Sequence, residues 1–533
     1  MKKFNCFGVM IDCSRGAVPT VPSLKRFFDI ISEMGYNCAM LYTEDTYEIP
    51  TEPFFGYKRG RYTAEELREL DLYAESVGIE LIPCMQTLAH LNAAFRWDCY
   101  CKIKDIDDVL LIDDEHTYEL IDKMFASLSS CIRSRKIHIG MDEAHNVGLG
   151  KYLDAHGFTD RYDLLLRHLS RVCEIAKKYG YETLMWEDMF FRLVKSGDYR
   201  TGEDVDFPKE IKEKIPENCS MVYWDYYAES SDIYRAMCKN SQKLTDDVWF
   251  AGGAWCWGGF TPHNKLSIRR NALALPACEE MGIKNVLITM WGDDGGECPP
   301  YAVLPALMHA AAVAEGMSDD EMKAKFAAIT GVAYDDALAL DTANYVYGDG
   351  VGVGSSNFSK NRLYSDLLQG IVDKNNEHPV DPAIFKEKAA RLYKAGENAT
   401  GEFALVFASQ AALCEALAVK FDLGEKTRAA YAKKDKEALR ALADGEYIAF
   451  SEKLEAFYEA FRAQWLGINK PQGLEMHDAR LGGLMLRAKS CRRALLDYCN
   501  KATDSIPELE EEILVHDGGN IGGWKRIITA GPM

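Results

Sequence analysis

Short apolar runs alternate with longer amphipathic stretches from the N-terminus to about residue 316. The runs have the length of buried strands, and several are rich in β-branched residues. They predict strands at 7–13, 37–43, 79–86, 136–142, 182–187, 219–225, 247–254 and 285–291. The stretches between them repeat apolar residues with the period of a helix, as in Leu24, Phe27, Phe28, Ile31 and Met34.

Eight strands separated by helices over roughly 300 residues predict a (β/α)8 TIM barrel, which we assign to residues 1–318. An open doubly wound sheet is the alternative. It is less favoured because Asp12-Cys-Ser-Arg15 follows the first strand, where such a sheet carries a glycine-rich phosphate turn.

The strand signal ends after about residue 317, and helical patterns predict an all-α C-terminal domain over residues 319–533. These patterns lie at 319–328, 382–396, 402–423, 436–466 and 477–499. The run 348–354 is glycine-rich but does not join a strand to a helix, so it predicts a linker rather than a phosphate-binding loop. A basic group that includes Arg480 and Arg487 predicts a solvated helix face.

Side chains at the C-terminal ends of barrel strands meet at one face, where barrel enzymes carry their active sites. The fourth strand ends in Asp142-Glu143, and two adjacent carboxylates at such a place are costly unless chemistry uses them. The pair therefore predicts an acid/base enzyme. The other strand ends add Asp12, Arg15, Gln86, His90, His145, Trp186, Glu187, Asp188, Tyr223, Asp225, Trp255, Trp257, Trp291, Asp293 and Glu297. Tryptophans beside carboxylates are typical of a sugar site, because indole packs on the apolar face of a pyranose.

Composition and net charge limit the classes of binding partner and the cellular compartment that we expect for this protein. A formal net charge of −20 argues against nucleic acid and against an anionic membrane surface. The 16 cysteines are scattered singly, the N-terminus lacks the apolar stretch of a secretory signal, and no run reaches the roughly 18 apolar residues that span a bilayer. The sequence therefore predicts a cytoplasmic protein with reduced thiols.

The ordered strand-end motifs resemble glycoside hydrolase family 20, the β-N-acetylhexosaminidases. His138-Ile-Gly140-Met-Asp142-Glu143 is similar to the family's fourth-strand hallmark, His-x-Gly-x-Asp-Glu. The first-strand arginine, the third-strand histidine, the Trp-x-Asp and Tyr-x-Asp motifs and the last-strand tryptophan have counterparts in Arg15, His90, Trp186-x-Asp188, Tyr223-x-Asp225 and Trp291. The chain looks most like the short intracellular members with a C-terminal helical domain.

The resemblance implies a role for each residue. Glu143 would be the general acid and then the base, Asp142 would orient the substrate's acetamide N–H, and Tyr223 would hydrogen-bond the acetamide oxygen. The residues implied to bind substrate are Arg15, His90, Trp186, Asp188, Asp225, Trp255, Trp257, Trp291, Asp293 and Glu297. Many members carry Trp-x-Glu at strand eight, whereas this chain has Trp291-Gly-Asp293 with Glu297 further on, so either acid could hold the distal hydroxyls.

The resemblance also implies a substrate-assisted reaction on terminal β-linked N-acetylglucosamine, with N-acetylgalactosamine as a second candidate sugar, and implies no cofactor and no metal. A homodimer is possible. Two other hypotheses stay open. A metal-dependent barrel hydrolase could use His90, His138, Asp142, His145 and Asp188 as ligands, although their spacing is not that of a tight ligand pair. A non-catalytic carbohydrate-binding barrel would keep the tryptophans but has no need for Glu143.

Overall fold

The computed structural model describes residues 3–194, 198–346, 357–375, 380–515 and 523–531, so the glycine-rich run 348–354 lies outside the described residues. The chain forms two compact units. The first consists of Met1–Ala254, Ser267–Trp291 and Ala306–Met322, and the second of Trp255–Leu266, Gly292–Pro305 and Lys323–Met533. The segments that follow the last two barrel strands therefore group with the second unit. The boundary between residues 318 and 319 stays a prediction.

The first unit contains a closed barrel of eight parallel strands, as the sequence predicts. The barrel strands are β1 (Cys6–Asp12), β2 (Cys38–Tyr42), β3 (Glu80–Cys84), β6 (Lys136–His138), β7 (Glu182–Trp186), β8 (Cys219–Trp224), β9 (Val248–Gly253) and β10 (Asn285–Met290). Two further strands, β4 (Lys104–Ile106) and β5 (Val109–Leu110), lie between β3 and β6 in the chain. Strand β10 pairs with β1 and closes the barrel, while β4 and β5 form a separate antiparallel hairpin. The hairpin is too short to leave a period in the sequence, so it was not predicted.

Helices follow the barrel strands. They span Val21–Met34, Ala64–Ser76, Asn92–Phe95, Glu115–Cys131, Lys151–His156, Arg161–Lys178, Asp188–Val194, Ile211–Lys214, Ser231–Ser241, Asn264–Glu280, Leu304–Glu315 and Asp319–Thr330. The first begins where the Thr20 side chain accepts a hydrogen bond from the Ser23 N–H, and it ends at Gly35, whose φ of 114° only glycine adopts without strain. Its buried face contains the apolar residues that the sequence pattern placed together.

The barrel interior is filled by a continuous apolar core. Its members include Met10, Met40, Ile82, Val222 and Leu287. Tyr42 and Trp186 belong to the same core, and Trp291 packs against it. The aromatic side chains at the C-terminal end of the barrel are therefore held by the same packing that stabilises the fold.

One disulfide corrects the expectation of reduced thiols. Cys6 and Cys38 are joined, with their Cα atoms 6.3 Å apart. The two cysteines are 32 residues apart in the chain, and only the pairing of β1 with β2 brings them together. The prediction that all thiols are reduced is wrong for this pair, and the compartment stays a prediction.

The second unit is helical in its described residues. Its helices span Tyr334–Ala337, Phe358–Tyr364, Ala383–Gly396, Gly401–Lys420, Leu423–Ala432, Lys436–Asp444, Glu446–Ile468, Leu474–Cys499, Pro507–Glu510 and Trp524–Ile528. The single helix predicted over 436–466 is broken at Gly445. Over the described residues, the stretch Gly401–Ala432 is long and apolar enough to cross a membrane, and 67% of its most apolar window is buried in the protein, as in a core helix.

Candidate active site

The turn after β6 carries the two central carboxylates, and three of its residues have a left-handed backbone. Gly140, Met141 and Glu143 have φ values of 73°, 72° and 52°. A Cβ on Gly140 would lie 2.0 Å from the Gln86 amide oxygen, so only glycine fits there, and the same oxygen accepts the Met141 N–H at 3.1 Å. The sequence predicted a strand over 136–142. These conformations end the regular strand earlier, at His138. Strained backbone of this kind is concentrated at functional sites.

Asp142 lies between two donors. Its Oδ2 forms an ion pair with His90 Nε2 at 3.1 Å, and its Oδ1 accepts a hydrogen bond from Gln86 Nε2 at 2.7 Å. Burial raises the pKa of Asp142, but His90 and Gln86 outweigh it and hold the pKa at about 2. Burial lowers the pKa of His90, and Asp142 more than reverses this and raises it to about 10. The pair is therefore a carboxylate and an imidazolium near neutral pH.

Glu143 is the more accessible of the two acids. Its side chain is 42% exposed, against 14% for Asp142. Two cations lie near its carboxylate: Arg192 Nη2 at 3.7 Å and His90 Nε2 at 3.8 Å. The Glu143 carboxyl can therefore contact an incoming molecule, whereas the less exposed Asp142, as a carboxylate, has no proton to donate.

Asp188 supports Glu143 from behind. Asp188 is fully buried, and its Oδ2 accepts the Glu143 backbone N–H at 3.2 Å and the Arg192 Nε–H at 2.8 Å. Burial and the nearby Asp142 raise the pKa of Asp188 to about 7, although Arg192 opposes them. These contacts are those of a positioning residue, and the sugar-binding role implied for Asp188 stays a prediction. The sequence reasoning missed Arg192, whose spacing of four residues from Asp188 at a helix start was the available signal.

Arg15 is held beside a second acidic group. Its Nη2 lies 3.1 Å from Glu44 Oε1, and its Nε lies 3.9 Å from Asp12 Oδ2. The Tyr42 hydroxyl donates to Glu44 Oε1 at 3.1 Å. Burial raises the pKa of Glu44 to about 7, against the opposing effect of Arg15. Glu44 follows β2 without a motif, and the sequence reasoning did not single it out.

Aromatic side chains also lie at the C-terminal ends of the barrel strands in the first unit. The Trp186 and Trp291 rings lie 5.9 Å apart, and Trp291 packs edge-on against Tyr42 at 4.8 Å. Tyr223 is buried, and its hydroxyl donates to Asp225 Oδ2 at 3.0 Å. Asp225 Oδ1 accepts the Tyr227 and Ala228 N–H groups, so this carboxylate is fixed in direction. The unit thus combines a charged acceptor, a reachable acid and an aromatic wall.

Four predicted site residues belong to the second unit. Trp255 and Trp257 are stacked with ring centres 4.2 Å apart. Glu297 is buried and pairs with Lys360 at 2.7 Å and with Arg480 at 3.3 Å, whereas Asp293 is exposed. The sugar-binding roles implied for Asp293 and Glu297 stay predictions. Arg480 is thus buried in an ion pair, so its predicted place on a solvated face is wrong.

The residues considered for a metal site do not all meet. Among the described residues, ligand atoms of His90, Asp142 and Glu143 lie within 4.8 Å of one another. His138 uses Nδ1 to accept the Gly140 N–H and lies under Trp186, with ring centres 4.3 Å apart. His90 Nε2 pairs with Asp142 Oδ2 at 3.1 Å, and the metal-dependent alternative stays a hypothesis that a chelation experiment tests.

Glu187, next to Asp188, gives a pH-dependent stability. Burial raises its pKa to about 8 from 4.5, although Ser241 donates to Oε1 at 2.7 Å. Between these values the folded chain binds a proton that the unfolded chain has lost, so the free energy of unfolding falls as pH rises. Glu187→Gln cannot ionise and should show a smaller fall between pH 5 and pH 8 in urea unfolding. The exposed Glu174→Gln should follow the parent chain, and an unchanged slope in Glu187→Gln would contradict the assignment.

Comparisons with known proteins give a consistent family. Residues 4–239 match the model for the glycosyl hydrolase family 20 catalytic domain, and residues 335–526 match that for the glycoside hydrolase 20C C-terminal domain. Together the two matches cover most of the chain, and the first includes Asp142, Glu143 and Tyr223.

Individual relatives are distant. Beta-hexosaminidase 3 of Arabidopsis thaliana is 25% identical over 206 residues, which is 36% of this chain and 38% of that protein. Hexosaminidase D of Bos taurus is 22% identical over 255 residues, 46% of this chain and 68% of the relative. A solved GH20 exo-β-N-acetylglucosaminidase from Vibrio harveyi is 16% identical with a TM-score of 0.46, covering 63% of this chain and 58% of that one. The match thus spans well under half of the Arabidopsis relative and about two thirds of the bovine one.

Proposed function

The chain belongs to glycoside hydrolase family 20, and from this premise we propose that it is an exo-acting, retaining β-N-acetylhexosaminidase. It releases terminal β-linked N-acetylglucosamine from oligosaccharides or glycans, and N-acetylgalactosamine is a second candidate sugar. The relatives named beta-hexosaminidase and hexosaminidase D support the substrate class.

The observation that carries the proposal is the different state of the two adjacent acids. Asp142 is locked as a carboxylate by His90 and Gln86, whereas Glu143 is half exposed beside Arg192. A conventional retaining enzyme needs two carboxylates about 5–5.5 Å apart on either side of the bond, one of them as nucleophile. Adjacent residues with these separate surroundings suit a reaction in which the nucleophile comes from the substrate.

In the proposed reaction, Glu143 gives its proton to the glycosidic oxygen as the bond to C1 breaks. The substrate's 2-acetamido oxygen attacks C1 and forms a bicyclic oxazolinium ion. Asp142 accepts the acetamide N–H and stabilises the positive charge that develops there. Glu143, now ionised, takes a proton from a water molecule that adds to C1, which restores the acetamide and the β configuration.

Tyr223 and the tryptophans position the acetamide. The Tyr223 hydroxyl has one O–H, which donates a hydrogen bond to Asp225 in the free site. In its proposed role this O–H must rotate away from Asp225 and donate to the acetamide oxygen instead. Asp225 is then available to a sugar hydroxyl. Trp186 and Trp291 form the wall that excludes water, and this removes part of the barrier by positioning.

A thiazoline analogue of the oxazolinium tests this proposal. It should inhibit roughly 10²-fold or more tightly than N-acetylglucosamine, because it resembles the bound intermediate rather than the product. Inhibition constants from competition with a chromogenic glycoside give the ratio. Similar constants for the two compounds would argue against substrate assistance.

A further inference from the structure

Three aromatic side chains form an exposed group that the proposed reaction does not use. Phe54 and Tyr57 are 42% and 41% exposed, and Trp97 is half-buried between them. Their ring centres lie 5.7 Å apart for Phe54 and Tyr57, 5.2 Å for Phe54 and Trp97, and 5.5 Å for Tyr57 and Trp97. We call these three residues the aromatic platform. A group of large exposed aromatics marks an interaction site.

The platform lies on the same face of the barrel as the candidate active site. Phe54 and Tyr57 lie on the loop after β2, and Trp97 lies on the loop after β3. These strands are hydrogen-bonded neighbours, so their loops emerge side by side at the C-terminal end of the barrel. The second loop also carries His90, only seven residues before Trp97.

Direct contacts join the loop that carries Phe54 and Tyr57 to the residues beside Arg15 and Glu44. Arg59 donates to the Ser14 carbonyl and pairs with Asp45 at 2.9 Å. A Cβ on Gly56, the neighbour of Tyr57, would lie 2.1 Å from the Asp45 carbonyl oxygen, so this loop packs directly on the residue after Glu44. The loop therefore contacts Ser14, the neighbour of Arg15, and Asp45, the neighbour of Glu44.

Hydrogen bonds and an ion pair also hold the two loops that carry the platform. Arg61 donates to the Phe55 carbonyl and to the Pro53 carbonyl at 3.2 Å. Glu52 accepts the Tyr100 hydroxyl at 3.1 Å and Lys123 at 2.7 Å, which ties the β2 loop to the β3 loop and to the helix behind them. A surface that is already ordered loses little entropy when it binds a ligand.

We propose that the aromatic platform is a binding subsite for the sugar residues beyond the scissile bond. This inference rests on the proposed function. An exo-acting enzyme holds only the terminal sugar in its pocket, so the rest of the glycan must leave over the rim of the same barrel face. Flat exposed rings there can stack on the apolar faces of successive pyranoses. Lys58 and Arg96 lie over the Tyr57 and Trp97 rings, 5.4 Å from the ring centres, and their charged groups can hydrogen-bond the hydroxyls of a sugar that approaches these rings.

Two substrates distinguish the contribution of the aromatic platform from that of the site that binds the terminal sugar. Methyl N-acetyl-β-glucosaminide has no sugar beyond the bond, and the β-1,4-linked trisaccharide of N-acetylglucosamine has two. The double variant Phe54→Ala/Trp97→Ala should lower kcat/KM roughly tenfold on the trisaccharide, mostly through KM, and should leave the methyl glycoside unchanged. Phe54→Trp and Trp97→Phe should retain most of the trisaccharide activity. Tyr393→Ala, which removes an exposed aromatic from the helix Ala383–Gly396, is the matched control and should change neither rate.

Equal rates for the parent chain and the double variant on the trisaccharide would overturn the subsite, as would equal losses on both substrates. A shift from dimer to monomer in light scattering, with an unchanged trisaccharide rate, would make the platform a contact between copies instead. If the parent chain hydrolyses neither substrate, the proposed function fails. Calorimetry then decides the subsite separately, because weaker trisaccharide binding by the double variant supports it and equal binding rejects it.

Discussion

Glu143→Gln is expected to fold normally and to lose about 10²- to 10⁴-fold in kcat on β-linked oligosaccharides of N-acetylglucosamine. An alkoxide is a poor leaving group, so the glycosidic oxygen must receive a proton as the bond breaks, and glutamine has none to give. On a dinitrophenyl glycoside the loss in the first step should be much smaller, because that leaving group departs as a stable anion. The measurement is a comparison of kcat on the two substrates for the variant and the parent chain, including the burst phase.

Asp142→Asn is the matched control, because it also removes one carboxylate charge without changing the shape of the side chain. Asp142 is proposed to act on the acetamide, so its loss should lower the rate on both substrates by similar factors. It should also lower the pKa of His90, since Asp142 is the main group that raises it. Equal fractional losses of Glu143→Gln on oligosaccharide and dinitrophenyl glycoside would remove Glu143 as the acid.

The barrel could be predicted because its strands are buried on both faces and therefore read as continuous apolar runs. All eight predicted barrel strands occur, and most bounds agree to within two residues. The exception is β6, which ends at His138, because a strand pattern cannot show where the backbone turns left-handed. That departure is at the turn that carries Asp142 and Glu143, and sites of proposed function are where local pattern is expected to fail.

The family could also be recognised from motifs, because each motif residue lies at a strand end in a fixed order. The residues that contact the motif side chains could not be recognised in this way. Gln86 was noted at a strand end, but its contacts with Asp142 and Met141 depend on the turn geometry. Arg192 and Glu44 have no motif of their own, and only the packing of neighbouring loops gives them a role. The disulfide between Cys6 and Cys38 depends in the same way on strand register.

Charged residues of the second unit show the same limit. Arg480 lies on a helix whose charge pattern indicates a solvated face, yet it is buried against Glu297 and Asp294. An ion pair between residues more than 180 positions apart leaves no periodic signal in the sequence. The partners of Glu297 therefore had to come from the structure.

The second large effect concerns the sugar itself, and it follows from the source of the nucleophile. If the acetamido oxygen attacks C1, a glucoside or galactoside has no group to replace it, and neither Asp142 nor Glu143 is placed to take over. Intramolecular nucleophiles gain effective molarities of about 10⁵–10⁸ M, so the loss should be at least roughly 10³-fold. Discrimination between N-acetylglucosamine and N-acetylgalactosamine should be far smaller, because the two sugars differ only in the orientation of one hydroxyl and both carry the acetamido group.

The most direct measurement is the hydrolysis of four nitrophenyl β-glycosides, those of N-acetylglucosamine, N-acetylgalactosamine, glucose and galactose, by the purified chain with and without EDTA. The account predicts turnover of the N-acetylglucosamine compound, comparable or weaker turnover of the N-acetylgalactosamine compound, none above background for the other two, and no effect of EDTA. Comparable hydrolysis of the glucoside, or activity that EDTA abolishes and Zn²⁺ restores, would contradict it.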